Sequence, residues 1–287
     1  MYLILTNVPQ ETYRELVAAF LRCHPEAKGK LLSYDQIRYH VRNLTGIIPV
    51  HDDMYINSCM AFTGPYKDLD TCLKCPEPRY NPAVLHSSNG IIKKPRQSVT
   101  TIPIGLQIQA LWSHQLSTEK MSHQQQVTDA LLSQTKLPDI LTDYTEGQDY
   151  LANTVQHLKP HDTVLMFSAD GVQLYQNKKS DCWIYIWVIY NLAPGDHYKM
   201  WYILQGGFVP GPNPPKIFDS FFFPGIYHLS ALQREGLVVW DAHGQKLYRD
   251  NPFILFVMAD AVRIADVSGS AGHHARVGCR LMCDLAG

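Results

Sequence analysis

Two short apolar runs in this chain each end in an aspartate, and they constrain its fold more than any other feature. Thr163-Val164-Leu165-Met166-Phe167-Ser168-Ala169 is closed by Asp170, and Phe253-Ile254-Leu255-Phe256-Val257-Met258-Ala259 by Asp260. Runs of this length and composition predict strands buried on both faces. If the two strands are neighbours, two carboxylates meet at one edge of an apolar wall. Like charges that close repel unless a proton or a divalent cation sits between them. That arrangement is the starting point of metal-dependent phosphoryl transfer. The same residues admit a plainer reading. Asp170-Gly171 is a hairpin-turn dipeptide, and Asp260 can N-cap a following helix.

The order of elements bears on that choice. Helical spacing is read over 9–22, through Tyr13, Leu16, Val17 and Phe20, and again over 34–44. Residues 50–100 read as loop-rich, and 104–134 as helical. From 161 the pattern turns to strands at 163–169, 182–190 and 199–205. A Gly/Pro-rich stretch, 206–215, delivers a helix over about 216–234, kinked at Pro224-Gly225 and stopped by Gly236. Strands follow at 237–240, 246–248 and 253–259. Three strands, a helix and a further strand open a ribonuclease-H-like fold, in which the first strand and the strand after the helix lie side by side. The expected class is therefore α/β: an incomplete ribonuclease-H-like core with a mixed sheet in β-β-β-α-β order. A Cys-containing, loop-rich and helical N-terminal region precedes it. The expected division is 1–100 with a candidate zinc knuckle, 101–160 as a helical linker region, and 161–287 as the partial core with a C-terminal His/Cys element.

Of the 287 residues, 46% are hydrophobic and 18% charged, which is enough apolar material for a core. The formal net charge of −1 excludes a global basic field. Any polyanion contact falls to local groups such as Lys28 with Lys30, Lys93-Lys94-Pro95-Arg96 or Lys178-Lys179, each of which also reads as a solvated loop. The seven cysteines are an odd count, and the N-terminus lacks a basic start. Both features argue for an intracellular chain without a disulfide scaffold. No apolar run approaches the ~20 residues of a membrane span, so no membrane partner is expected.

The cysteines fall into two clusters. Cys72-Leu73-Lys74-Cys75 is a C-x2-C knuckle with Cys59 upstream. Such spacing lets two thiolates enter one zinc tetrahedron, with His51 the nearest candidate for the fourth ligand and His86 another. A redox pair or unrelated cysteines explain the spacing equally. His273, His274, Cys279 and Cys283 form the second candidate zinc set, since helical 279–283 would put both thiols on one face; buried free cysteines are the alternative. No Cys–His–Asn set, Gly-x-Ser-x-Gly elbow or phosphate-binding Gly-x4-Gly-Lys-Ser/Thr loop occurs.

Several stretches together resemble the transposases of CACTA (En/Spm-type) DNA transposons in their fungal, mushroom-type form. They are Cys59-Met60-Ala61-Phe62-Thr63-Gly64 with Cys72-x2-Cys75-Pro76-x2-Arg79-Tyr80, then Asp162 through Gly171, and Lys178-Lys179-Ser180-Asp181-Cys182-Trp183. Pro210-Gly211-Pro212-Asn213-x-Pro215-Lys216 follows with Asp219-Ser220-Phe221, then Ala259-Asp260-Ala261, and finally Gly272-His273-His274 with Cys279-Arg280-Leu281-x-Cys283. The resemblance runs in order from about 50 to 287.

This resemblance implies a DDE/D transposase with Asp170 and Asp260 as its first two catalytic acids. It implies Mg2+ or Mn2+ bridged by those acids, transposon-end DNA as partner, a homo-oligomer and a nuclear location. The chain departs from the pattern in two places. Between 261 and 287 the only acids are Asp266, too close to Asp260, and Asp284, next to Cys283. The stretch Met121-Ser122-His123 lacks the basic character of its relatives. The expectation is therefore a copy truncated before the third acid and inactive alone, which leaves open whether it is an enzyme. The alternative function is a non-catalytic, zinc-containing module that binds nucleic acid or protein.

Overall fold

The structure is a computed structural model that describes residues 10–75, 77–134, 138–173, 181–259 and Ile264. The chain divides into two compact units, at Met1–Ile48 and Pro49–Gly287.

The first unit holds two helices, α1 (Gln10–Cys23) and α2 (Tyr34–Thr45). Ser33 and Gln36 form a reciprocal capping box at the start of α2, and Gly46 ends it with φ 68°. Tyr13, buried on α1, donates its hydroxyl to the Leu32 carbonyl at 2.7 Å and so ties α1 to the segment before α2.

The second unit is a mixed α/β assembly. Its strands are β1 (Val50–Met54), β2 (Gln97–Thr101), β3 (Val164–Gln173), β4 (Asp181–Ile189), β5 (Ile203–Pro210), β6 (Leu237–Asp241), β7 (Lys246–Asp250) and β8 (Phe253–Met258). Its helices are α3 (Pro82–Ser87), α4 (Gly105–Trp112), α5 (Gln115–Met121), α6 (His123–Leu132) and α7 (Phe218–Glu235). Six strands form one sheet in the order β1-β2-β5-β4-β3-β8, and β6 and β7 form a separate hairpin. All neighbours in the large sheet are antiparallel except β3 and β8, which run parallel. No helix among the described residues is long and apolar enough to cross a membrane.

The larger apolar cluster lies on one face of the sheet. Trp183, Tyr185, Trp187 and Ile189 alternate along β4 toward α7, in keeping with the two-residue period of a strand. The Phe222 ring lies 5.1 Å from Phe167 and 5.3 Å from Tyr185, and Phe218 lies 5.3 Å from Trp183. At β3, Val164, Leu165, Met166 and Phe167 are all buried, as a strand covered on both faces requires. The expectation of two-sided burial is not met at β8, which is half-buried and leaves Val257 and Met258 each 45% exposed.

Three other expectations are corrected. The single helical region at 104–134 is three short helices, broken at Ser113-His114 and at Ser122. The third core strand lies at 203–210 rather than 199–205, and Met200–Tyr202 is a single 3-10 turn. The loop-rich stretch 50–100 contains β1 and β2, which extend the sheet beyond β5.

Helix α7 contains Pro224, as expected. Proline has no N–H, so the Ser220 carbonyl one turn earlier loses its helical donor. The buried Thr63 hydroxyl donates to that carbonyl instead. The start of α7 likewise has no side-chain cap of its own. The loop at 59–64 serves it: the Cys59 carbonyl accepts from the Lys216 and Ile217 N–H groups at 3.0 and 2.9 Å, and Ala61 N–H donates to Ser220 Oγ at 2.9 Å.

Candidate functional site

Asp170 lies within β3, not in a turn. The strand continues through Asp170 and Gly171 to Gln173, and the antiparallel register sets Asp170 opposite Ile184 and Gly171 opposite Trp183. The hairpin alternative for Asp170-Gly171 is therefore overturned. Gly171 has a packing reason instead: a side-chain carbon there would lie 3.0–3.2 Å from the Trp183 ring. The Asp170 carboxylate is exposed, and its Oδ1 accepts from the Gly171 N–H at 2.7 Å.

The parallel pairing of β3 with β8 is anchored at the strand starts. Phe253 N–H donates to the Thr163 carbonyl at 2.8 Å, and Asn251 N–H to Asp162 Oδ1 at 3.0 Å. The fully buried Asp250 accepts from Thr163 N–H at 2.7 Å and from the Thr163 hydroxyl, which also accepts from Trp112 Nε1 at 3.1 Å. Burial, chiefly, pushes the Asp250 carboxyl up to about 7, and the Thr163 hydrogen bonds only partly offset it.

The register then shifts. Val164 pairs with Phe253 and Leu165 with Ile254, but Met166 pairs with Phe256, so Leu255 is an extra residue on β8. The last pair is Ser168 with Met258. Asp170 and Asp260 each stand two positions beyond that pair in the sequence. With an unshifted register Ser168 would face Val257, and the two aspartates would be out of step by one residue, on opposite faces. Asp260 itself lies outside the described residues, as do His273, His274, Cys279 and Cys283.

Beside this edge, α7 and β8 enclose an apolar groove of about 450 Å3 whose lining includes Phe167, Phe222, Ile254 and Val257. Asp219, from the first turn of α7, is its charged member. Asp219 belongs to the Asp219-Ser220-Phe221 stretch, which by itself carries no site signal.

A second site forms around the knuckle. The sulfurs of Cys59, Cys72 and Cys75 all lie within 4.8 Å of one another, with Cys59 to Cys75 at 3.1 Å and Cys72 to Cys75 at 3.8 Å. Lys74 N–H points at Cys72 Sγ from 3.4 Å. Burial, then the bond to Cys75, pushes the Cys59 thiol up to about 12. Burial also acts against ionisation of Cys75, but its close polar neighbours Tyr55, Cys59 and Cys72 outweigh it and lower that thiol. Cys75 is thus the member of the group that ionises most readily and Cys59 the one that resists it. His51 is not in this group: it lies on β1, its Nδ1 3.1 Å from Thr100 Oγ1. His86 is on α3. Tyr55, fully buried against the cysteines, was not foreseen; an apolar-looking residue between β1 and Cys59 gives no metal signal in sequence.

The Transposase family tnp2 model matches residues 149–286. The matched stretch takes in β3 to β8 and both expected acids, and it supports a transposase family and a transposase-related function for this part of the chain. No curated protein matches the chain. No solved structure matches it.

Proposed function

We propose that the tnp2-like part of this chain is a ribonuclease-H-like core of a CACTA-type, fungal-form DDE/D transposase, with Asp170 and Asp260 as paired metal-binding acids. The observation that carries this reading is the shifted parallel register of β3 and β8. It ends at Ser168–Met258, two positions before each acid, so continuing it would place both carboxylates side by side on one face. The strand order β5-β4-β3-β8, with α7 between β5 and β8 in the chain, agrees with such a core. The exposed Asp170 is open to ligand.

Bound at such a pair, Mg2+ or Mn2+ ions supply Lewis-acid stabilisation of the attacking and leaving oxygens in DNA strand cleavage and transfer. The protein's part is to hold the carboxylates in register on a rigid sheet, which the buried Thr163–Asp250–Trp112 contacts at the strand starts favour. Transposon-end DNA, a homo-oligomer and a nuclear location belong to the same reading. The cysteine group alone favours a second reading, a non-catalytic zinc-containing module that binds nucleic acid or protein.

Thermal unfolding with and without Mg2+ separates the two. Ligand at 100 times its Kd stabilises by about 2.7 kcal/mol. For a unit of this size that raises Tm by about 5–10 °C. The rise is expected in the native chain and is expected to vanish in Asp170→Asn and Asp260→Asn. An undiminished rise in Asp170→Asn removes the first reading. Thiolate sites do not interfere, because Mg2+ prefers oxygen donors.

A further inference from the structure

We propose that Cys59, Cys72 and Cys75 bind one zinc ion, with the Tyr55 hydroxyl donating to the Cys75 sulfur, and that this site fastens the 59–64 loop to the start of α7. The inference rests on its own geometry and stands whether or not the aspartate pair binds metal.

Four observations converge on it. The three sulfurs are close enough to share one tetrahedral ion, and soft thiolates select zinc over hard cations. The Lys74 N–H approaches Cys72 Sγ at 3.4 Å; a backbone donor at a sulfur favours its ionised form. The Tyr55 hydroxyl is fully buried and has no well-formed hydrogen bond of its own, yet it lies against Cys75. A buried hydroxyl without a partner is costly, and a metal-bound thiolate is the acceptor that relieves it. The group also carries a neighbouring cation, Lys216, that acts on both Cys59 and Cys75. It offsets the negative charge of three thiolates around a divalent ion. On binding, the thiol protons pass to solvent. The fourth position is left to water or an exogenous donor, because the close group holds only the three cysteines among the described residues.

The consequence reaches the core. Cys59 supplies the carbonyl that accepts from Lys216 and Ile217 N–H, and the same loop supplies Ala61 N–H and the Thr63 hydroxyl to Ser220. Metal at the cysteines therefore orders the loop that replaces a helix cap at α7, the helix that carries Asp219.

The test uses the unmodified full chain, purified without chelator. Zinc is measured per chain, and cysteine alkylation is mapped by mass spectrometry before and after chelation with phenanthroline. Cys75, half-buried, is expected to react only after chelation, whereas the exposed Cys23 reacts equally in both conditions and serves as the control. Tyr55→Phe is expected to weaken zinc binding about 10–100-fold, and Cys72→Ser to remove one zinc per chain. Equal alkylation of Cys75 with and without chelator overturns the proposal. So does an unchanged zinc content in Cys72→Ser, or a Cys59–Cys75 disulfide in the native chain under non-reducing mapping.

Discussion

Replacing Gly207 with alanine sets a methyl carbon 2.5 Å from Tyr185 Cε1, 2.8 Å from its Cζ and 2.7 Å from the Thr100 carbonyl oxygen. Neither neighbour can retreat. The Thr100 oxygen is backbone of β2, paired with β5 at this point. The Tyr185 ring is 1% exposed, crosses the bulge at Gly206-Gly207, and would also meet a side-chain carbon at Gly225, 2.9 Å from its hydroxyl. Three glycines from two elements thus make the slot for one ring. Overpacking of this kind costs about 1–3 kcal/mol, and the rigid carbonyl puts Gly207→Ala near the top of that range. At 2–4 °C per kcal/mol, a loss of about 3 kcal/mol lowers Tm by about 6–12 °C. Thermal and urea unfolding of the full chain measure it, with Gly195→Ala as control, since a side-chain carbon at 195 meets nothing within 4 Å. In the double variant Gly207→Ala/Tyr185→Leu the slot is vacated. The two changes should then cost less than their sum, with a coupling of roughly 0.5–3 kcal/mol. If Gly207→Ala unfolds within about 0.5 kcal/mol of the native chain, a range typical of surface changes, the close packing of β4 on β5 described here is wrong.

Other outcomes follow from the same contacts. Thr63→Val keeps the shape and removes the donor to the Ser220 carbonyl, which Pro224 leaves without a helical partner; the expected cost is about 1–3 kcal/mol, recovered in Thr63→Ser, and equal stability of the Val variant would exclude that role. Asp250 is an acid whose folded pKa, about 7, stands above its unfolded value of 3.8. Its contribution is fully present below about pH 4 and is lost as pH rises through 7, on the order of 4 kcal/mol at about 1.36 kcal/mol per pKa unit. Asp250→Asn should flatten that decline when urea midpoints are followed from pH 4 to 8. A variant that declines as steeply as the native chain would place the titration elsewhere.

Much of the β3–β8 arrangement was readable because both strands are short apolar runs ended by acids, and because a helix separates the third strand from the last. The edge strands were not. Val50-His51-Asp52-Asp53-Met54 and Gln97-Ser98-Val99-Thr100-Thr101 have no apolar alternation, and they become strands through pairing with each other and, for β2, with β5. The third core strand starts and ends later than the expected 199–205, a span that stops short because Gly206, Gly207 and Pro210 argue against a strand locally; the two glycines are there for the Tyr185 ring, a constraint set by a residue on another strand. The Asp170-Gly171 dipeptide favours a turn on local grounds, but Trp183 across the ladder leaves little room for a side chain at 171. The breaks in 104–134 carry neither Gly nor Pro, so periodicity ran through them. At the cysteines, the C-x2-C spacing and Cys59 were readable. Tyr55 was not, because its contribution depends on where the chain folds back after β1.

The aspartate pair is tested most directly by crystallising the full chain with Mn2+ and measuring the separation of the Asp170 and Asp260 carboxylates, with anomalous scattering to locate the metal. Ions sharing such a site lie about 3.5–4 Å apart, so carboxylate oxygens within roughly 4–7 Å of each other, with manganese between them, are predicted. A separation beyond about 10 Å, too far for one ion to bridge, or manganese bound elsewhere, would contradict the paired-acid core.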